Sequence, residues 1–179
     1  MNVARNIRVF GLLLLVALPA ASCHRSQPPG ASSVHVLTAD ELGKRLQQSR
    51  APLTLVHVWA TWCVPCREEL PIVLRVRQAY TNRGLEVILV SADPPDTRAA
   101  VAHYLEARDA RFPSYLIDNP NASFINTLCT NWSGALPASF FFSPGGRLQR
   151  WWEGSAEYAR YQKSVEQLLE PAQQKEMTK

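Results

Sequence analysis

Cys63 and Cys66, separated by Val64 and Pro65, are the residues of this chain best placed to do chemistry. They stand where an apolar run, Leu53 to Trp59, gives way to a long amphipathic segment, Arg67 to Tyr80. That pattern predicts a strand feeding a helix, with Cys63 where the first turn begins. A helix N-terminus carries unpaired N–H groups and a partial positive charge, so an anion placed there is stabilised. A thiolate is such an anion, and a cysteine so placed has a lowered pKa and is nucleophilic near neutral pH. Cys66 lies one turn on, on the same face, within disulfide reach of Cys63. The pair therefore reads as a redox dithiol. Two blander readings stay open. Structural zinc needs about four ligands, yet Cys23 and Cys129 are single and far apart, and His24, His35, His57 and His103 show no ligand spacing. A purely structural disulfide usually closes a longer loop, because its stabilisation grows with loop length.

The neighbours of the pair extend the chemistry. Glu69 follows Cys66 by three residues, on the same helical face. A partly buried carboxylate there can accept the proton of Cys66 or raise thiol pKa values by like-charge repulsion. The plainer reading is that Glu68 and Glu69 complement the helix N-terminus at about 0.3–1 kcal/mol each; Glu68 is taken as solvated surface. Pro65 sets the turn and removes a competing N–H, and is also an ordinary helix-start residue. Trp62 offers an apolar contact surface beside Cys63. His57 is the odd member of the apolar run. It is either a core histidine satisfied by a neighbour or a titrating group behind the cysteines able to relay a proton. Cys129 reads as a buried apolar residue, with a third redox thiol as the alternative. Two thiolates also suit Cu(I), but a further soft ligand is needed and the two methionines are Met1 and Met177.

The elements that must hold this site follow from pattern. Val34 to Leu37 reads as a short strand. Thr38 with Glu41 forms a capping-box pattern, starting a helix to about Ser49 with Leu42 and Leu46 inward. The run from Leu53 to Trp59 is nearly all apolar, as expected of a strand buried on both faces. The following helix is expected to bury Leu70, Val73, Leu74, Ala79 and Tyr80, with Pro71 inside it bending the axis. Leu85 to Val90 completes a strand–helix–strand unit, which implies a parallel pair with a right-handed crossover. Asp93-Pro94-Pro95-Asp96 reads as a loop, and Thr97 to Arg108 as a helix burying Ala100, Val101, Tyr104 and Leu105. Ser114 to Asp118 is a short extended piece and Asn121 to Thr130 a short helix. A Pro-led strand, Ala138 to Phe142, turns at Ser143-Pro144-Gly145-Gly146 into Arg147 to Trp152. Trp151 and Trp152 are read as the core and surface sides of that strand. A terminal helix, Ser155 to Leu169, carries Tyr158, Tyr161, Val165, Leu168 and Leu169, and the tail from Pro171 is read as frayed.

The whole chain bounds the rest. Its 179 residues are 46% hydrophobic and 19% charged, which fits one folded domain with a short extra segment. The formal charge is +4, with the basic residues scattered, so there is no nucleic-acid footprint. Residues 1–22 read as a secretory signal: Arg5 and Arg8 lead, Val9 to Leu18 form an apolar core too short to span a bilayer, and Ala20-Ala21-Ser22 precede Cys23. This resembles the lipobox of bacterial lipoproteins, with Ala20 where leucine is usual, and Cys23 is the lipidation site that follows; ordinary cleavage nearby is the alternative. Residues 24–33 have the Pro, Gly and Ser content of a tether. The chain is thus expected to face an exported compartment, where disulfide chemistry is at home.

Four stretches together resemble the TlpA-like group of thioredoxin-fold proteins, which are exported bacterial thiol–disulfide oxidoreductases. They are Val58-Trp59-Ala60-Thr61-Trp62-Cys63-Val64-Pro65-Cys66; Glu69-Leu70-Pro71; Leu85 to His103, similar to the group's inserted strand and helix; and Gly134-Ala135-Leu136-Pro137-Ala138-Ser139-Phe140-Phe141. The resemblance covers residues 34–170. It implies an α/β thioredoxin fold, a central mixed sheet flanked by helices. It implies Cys63 as attacking thiolate, Cys66 as resolving thiol and Glu69 as catalytic carboxylate, with Pro137 in a cis bond. Leu136 and Pro137, with Trp62 and Pro65, would meet substrate. Partners would be disulfide- or thiol-bearing exported proteins, with cytochrome c maturation as one setting, and a membrane electron donor; no cofactor is implied. Three departures stand out. Leu136 replaces the more frequent Val, His57 stands where relatives have Asn or Asp, and Cys129 is outside the pattern. A Cu(I)-handling module, a dithiol oxidant and a non-catalytic interaction domain are the rival readings.

Overall fold

The computed structural model describes residues 33–176. The expected signal segment 1–22, the lipidation site Cys23 and all of the tether but Ser33 lie outside them. Among the described residues no helix is long and apolar enough to cross a membrane. The element order is β1 (Val34–Leu37), α1 (Ala39–Gln48), β2 (Leu53–Trp59), α2 (Val64–Tyr80), β3 (Leu85–Ser91), α3 (Arg98–Glu106), β4 (Ser114–Ile117), α4 (Ala122–Leu128), β5 (Ala138–Ser143), β6 (Arg147–Glu153) and α5 (Tyr158–Glu176), with single 3-10 turns at Thr81–Arg83 and Pro95–Thr97.

The strands form one mixed sheet in the order β1-β4-β3-β2-β5-β6. β2 pairs in parallel with β3 and antiparallel with β5, so it lies inside the sheet, and every residue from Leu53 to Trp59 is buried. Its side chains alternate between two apolar layers. Leu53, Leu55 and Trp59 join a cluster built with α2, α3 and α5, whereas Val56 and Val58 join one built with α1 and α4. A strand covered on both sides must be apolar throughout, which explains the unbroken run. The stretch expected as an inserted strand and helix is β3 and α3. β3 is central and pairs along its whole length with β2, while the α3–β4 connection places β4 between β3 and β1.

Local signals set the boundaries. The Thr38 hydroxyl accepts the Glu41 N–H at 3.1 Å, and the Glu41 carboxylate accepts the Thr38 N–H at 2.7 Å, so α1 starts on the expected capping box. Some burial expectations are corrected. In α2 Val76 is buried and Ala79 is exposed, because the apolar face continues Leu70, Val73, Val76, Tyr80 at helical spacing. Ala100 is exposed; Val101 and Leu105, four apart, are the buried face of α3. The sides expected for the two tryptophans of β6 are reversed: Trp152 is buried against Phe141 and Tyr161, at 5.2 and 5.1 Å, whereas Trp151 is half-buried and stacks on Phe140 at 6.2 Å, so both faces of β6 are covered at that point. α5 starts at Tyr158 and its backbone runs through Pro171 to Glu176. A proline removes one N–H from a helix without by itself ending it.

Gly84 ends the turn after α2 at φ +99°, and a Cβ built there would stand 2.8 Å from Pro52 Cγ. Gly84→Ala is therefore expected to destabilise the domain by at least about 1 kcal/mol, from left-handed strain plus displacement of the α1–β2 turn. Urea unfolding of the two proteins checks this; equal midpoints contradict it.

Candidate active site

The end of β2 delivers Cys63 to the start of α2. Cys63 is the residue that caps the helix, with its Sγ accepting the Cys66 N–H at 3.3 Å. Pro65, within the first turn, has no N–H to compete. Cys63 and Cys66 are joined as a disulfide of S–S 2.01 Å. Cys63 is 6% exposed and Cys66 is fully buried, so only the Cys63 edge of the bond opens outward. The flanking residues are exposed, Trp62 at 63% and Val64 at 52%.

The loop between β2 and α2 is tied to β3 by Asp93. Its carboxylate accepts the Thr61 N–H at 2.9 Å, the Thr61 hydroxyl at 2.5 Å and the Ser91 hydroxyl at 2.5 Å. The Ala92 N–H also donates to the Trp59 carbonyl at 2.8 Å. Thr61 is two residues before Cys63, so these contacts fix the approach of the chain to the disulfide. Burying a carboxylate is costly unless its oxygens find donors, and here both oxygens of Asp93 do.

The Leu136–Pro137 bond is cis, as the resemblance implied. The loop around it faces the disulfide across a groove of about 560 Å³, lined by Trp62, Cys63, Pro65, Ile125, Trp132 and Leu136 among others. Among the described residues no charged side chain lines it. Trp132 forms part of its floor. Its indole N–H donates to the Ala135 carbonyl at 2.9 Å, and its ring packs edge-on against Phe124 and Phe140, at 5.8 and 5.2 Å. Pro137 itself is buried, and its carbonyl accepts the Gly154 N–H at 2.8 Å. Cys129 is a buried free cysteine in the same apolar cluster as Trp132 and Phe124.

One turn beyond Cys66 on α2 lies a buried polar group. Glu69 is 2% exposed; its Oε1 accepts the Ala156 N–H at 2.8 Å and the Tyr161 hydroxyl at 2.9 Å, while Oε2 has no partner. Burial raises its pKa above the usual carboxylate range, against the lowering effect of those donors and of Arg160. Tyr161 is pushed well above its ordinary value, by burial first and then by the Glu69 charge. His57 is fully buried. Its Nδ1 lies 3.0 Å from the Ser139 hydroxyl, Nε2 has no partner, and burial pulls its pKa down to about 3.

The structure thus brings together Cys63, Cys66, Trp62, Pro65, Leu136 and the Pro137 loop, with Glu69 and His57 in the core behind them. Sequence reasoning missed Asp93, which read as a loop residue, and Ser139 and Tyr161, which read as strand and core helix. It also missed the part α4 and Trp132 play in the groove. Spacing placed Tyr161 on the buried face; no sequence signal says where a buried hydroxyl points. Among the described residues no cluster of three or more His, Cys, Asp or Glu is arranged to hold a metal ion.

The family model of AhpC/TSA matches residues 33–150. The chain belongs to the AhpC/TSA family. Among curated proteins, Thiol-disulfide oxidoreductase ResA of Bacillus anthracis is 27% identical over 121 residues, or 66% of this chain and 66% of that one. ResA of Bacillus cereus (strain ATCC 10987 / NRS 248) is 29% identical over 156 residues, covering 80% of this chain and 86% of that one. Among solved structures, a thiol:disulfide interchange protein of the thioredoxin family from Chlorobium tepidum TLS superposes with a TM-score of 0.56 at 21% identity, over 71% of this chain and 84% of that one. The fold of this AhpC/TSA member is therefore the thioredoxin fold.

A histidine held neutral in the core has a definite acid signature. The unfolded chain binds a proton at His57 below about pH 6.5, and the folded chain resists doing so until about pH 3. Folding stability carried by the neutral ring is therefore complete above pH 6.5 and falls as the pH drops toward 3. Relative to a His57→Gln variant, the wild-type protein should lose stability through this window at up to about 1.4 kcal/mol per pH unit. Urea unfolding at a series of pH values tests it, and parallel pH profiles would contradict a neutral buried His57.

Proposed function

We propose that this chain is a thiol–disulfide oxidoreductase that reduces disulfides of exported partner proteins. The observation that carries the reading is the Cys63–Cys66 disulfide at the N-terminus of α2, with its Cys63 edge in an apolar groove and Glu69 buried one turn beyond Cys66. The names of the relatives support the same chemistry.

In the reduced form the Cys66 N–H and the helix N-terminus stabilise a thiolate at Cys63. That thiolate attacks one sulfur of a substrate disulfide. A new S–S bond forms to Cys63, and the other substrate sulfur leaves as a thiolate that takes a proton from solvent. Cys66 then gives its proton to Glu69, whose pKa burial raises and which is thereby a better proton acceptor than an exposed carboxylate. The Cys66 thiolate attacks Cys63 Sγ, closing the disulfide and expelling the second substrate thiolate. The substrate is reduced by two electrons and the Cys63–Cys66 pair is oxidised by two. A membrane dithiol donor restores the pair.

Trp62, Pro65 and Leu136 hold the substrate segment, and the loop before Pro137 offers it a backbone to pair with. An uncharged groove selects a segment by shape and apolar contact. The basic and apolar start of the chain, ending at Cys23, supports export with a lipid anchor at that cysteine, and residues 24–33 then act as the tether. Apocytochrome c and its maturation partners are the substrates that the TlpA-like resemblance brings.

Cys66→Ser should accumulate a mixed disulfide with substrate through Cys63, and Cys63→Ser should accumulate little. Equal trapping would reverse or remove the role assignment. The midpoint potential of the pair decides direction. A value near or below roughly −270 mV fits a reductase served by a dedicated donor, and one near about −120 mV makes the protein an oxidant of exported thiols. With no reversible two-electron couple the oxidoreductase reading fails, and titration with Cu(I) becomes the next experiment.

A further inference from the structure

Four polar side chains from four elements meet inside the apolar core. His57 Nδ1 on β2 is 3.0 Å from Ser139 Oγ on β5, Ser139 Oγ is 2.6 Å from the Tyr161 hydroxyl on α5, and that hydroxyl is 2.9 Å from Glu69 Oε1 on α2. None is more than 2% exposed. Proton counting fixes the direction of the chain. An ionised carboxylate only accepts, so Tyr161 donates to Glu69. Tyr161 has one proton, so it accepts from Ser139. Ser139 has one proton, so it accepts from His57. His57 is therefore protonated at Nδ1 and bare at Nε2, which agrees with the lack of a partner at that nitrogen. All three donors point toward one carboxylate.

We propose that this directed chain positions the Glu69 carboxylate and sets its proton affinity, with Tyr161 as the positioning residue and Ser139 and His57 as its supports. In a low-dielectric core each donor polarises the next, so the terminal O–H···O⁻ bond is strengthened by those behind it. The other groups facing Glu69 are few. The Ala156 N–H donates to the same Oε1, Arg160 on α5 contributes a favourable charge, and Cys66 lies one turn back on α2. The unpartnered Oε2 is the atom left for a proton. Protonation there leaves Oε1 still accepting from Tyr161, so Glu69 can load and unload a proton without breaking the chain. The consequence for the dithiol rests on the reading of Glu69 as the proton acceptor of Cys66; the effect on Glu69 itself does not.

Tyr161→Phe removes one donor and keeps the ring packed against Trp152 and Phe141. The anion loses its strongest support, so the Glu69 midpoint should rise by about one pH unit. Infrared difference titration of the carboxyl band in the oxidised full chain, assigned with Glu69→Gln, reads it directly. Ser139→Ala should move the midpoint in the same direction by less. An unmoved midpoint in Tyr161→Phe overturns the proposal, and a shift there with none in Ser139→Ala overturns the extension to Ser139 and His57. In the reduced protein, the pH profile of alkylation by iodoacetamide should move in Tyr161→Phe as well as in Glu69→Gln. A profile unmoved by Glu69→Gln overturns the role given to Glu69 in exchange, and the carboxyl titration still judges Tyr161 separately.

Discussion

The contact on which the site depends is the Cys66 N–H directed at Cys63 Sγ, at the point where a fully buried strand becomes a helix. It needs three things at once. The strand must end at Trp59 in the middle of the sheet, the helix must begin at Val64, and no other donor may compete for the sulfur. The first follows from the apolar run in β2, the second from the free N–H groups of a helix start, and the third from Pro65. A helix start that presents N–H groups to a sulfur contributes in favour of the thiolate over the thiol.

That geometry is useful only if the approach to Cys63 is rigid and one side of it is open. Rigidity comes from Asp93, a carboxylate at the end of β3 that takes both the amide and the hydroxyl of Thr61. Openness comes from the far side of the chain. The Leu136–Pro137 loop and α4 form the opposite wall, and Trp132 is held in place by the Ala135 carbonyl and by two aromatic rings. Parts of the sequence far along the chain from the cysteines therefore decide what can reach them, as expected when a rigid scaffold carries function in its loops.

What was legible in the sequence was whatever depends on local pattern. The capping box of α1, the buried β2, the cysteines at the start of α2 and the β5–β6 hairpin all follow from spacing within a few residues. The cis bond before Pro137 came from family resemblance, since a lone X–Pro bond is usually trans. What was not legible depends on pairing across the fold. Asp93 looks like a loop residue until β3 is set beside β2. Tyr161 has the spacing of a core position, and the ring does pack as one. Its hydroxyl matters only because α5 crosses α2 at Glu69 and β5 at Ser139. Ala79 and Ala100 were misplaced for a smaller reason: alanine is small enough to sit on either face, so it carries little information about helix rotation.

Glu69 and His57 show how a core can hold two titratable groups without pairing their charges. Direct contact would have made a buried ion pair, whose desolvation cost often cancels its attraction. Here two hydroxyls separate them, and burial drives each toward its neutral form, the imidazole down and the carboxyl up. The imidazole is thereby fixed as a neutral donor at every pH where the protein is expected to work. The carboxyl is not fixed, because Tyr161 and the Ala156 N–H support its charged form while burial supports its neutral one. A group balanced in this way changes charge at small energetic cost, which is what the role proposed for Glu69, proton acceptor for Cys66, requires. The polar chain through the core is thus best understood as the means of keeping one carboxylate near that balance.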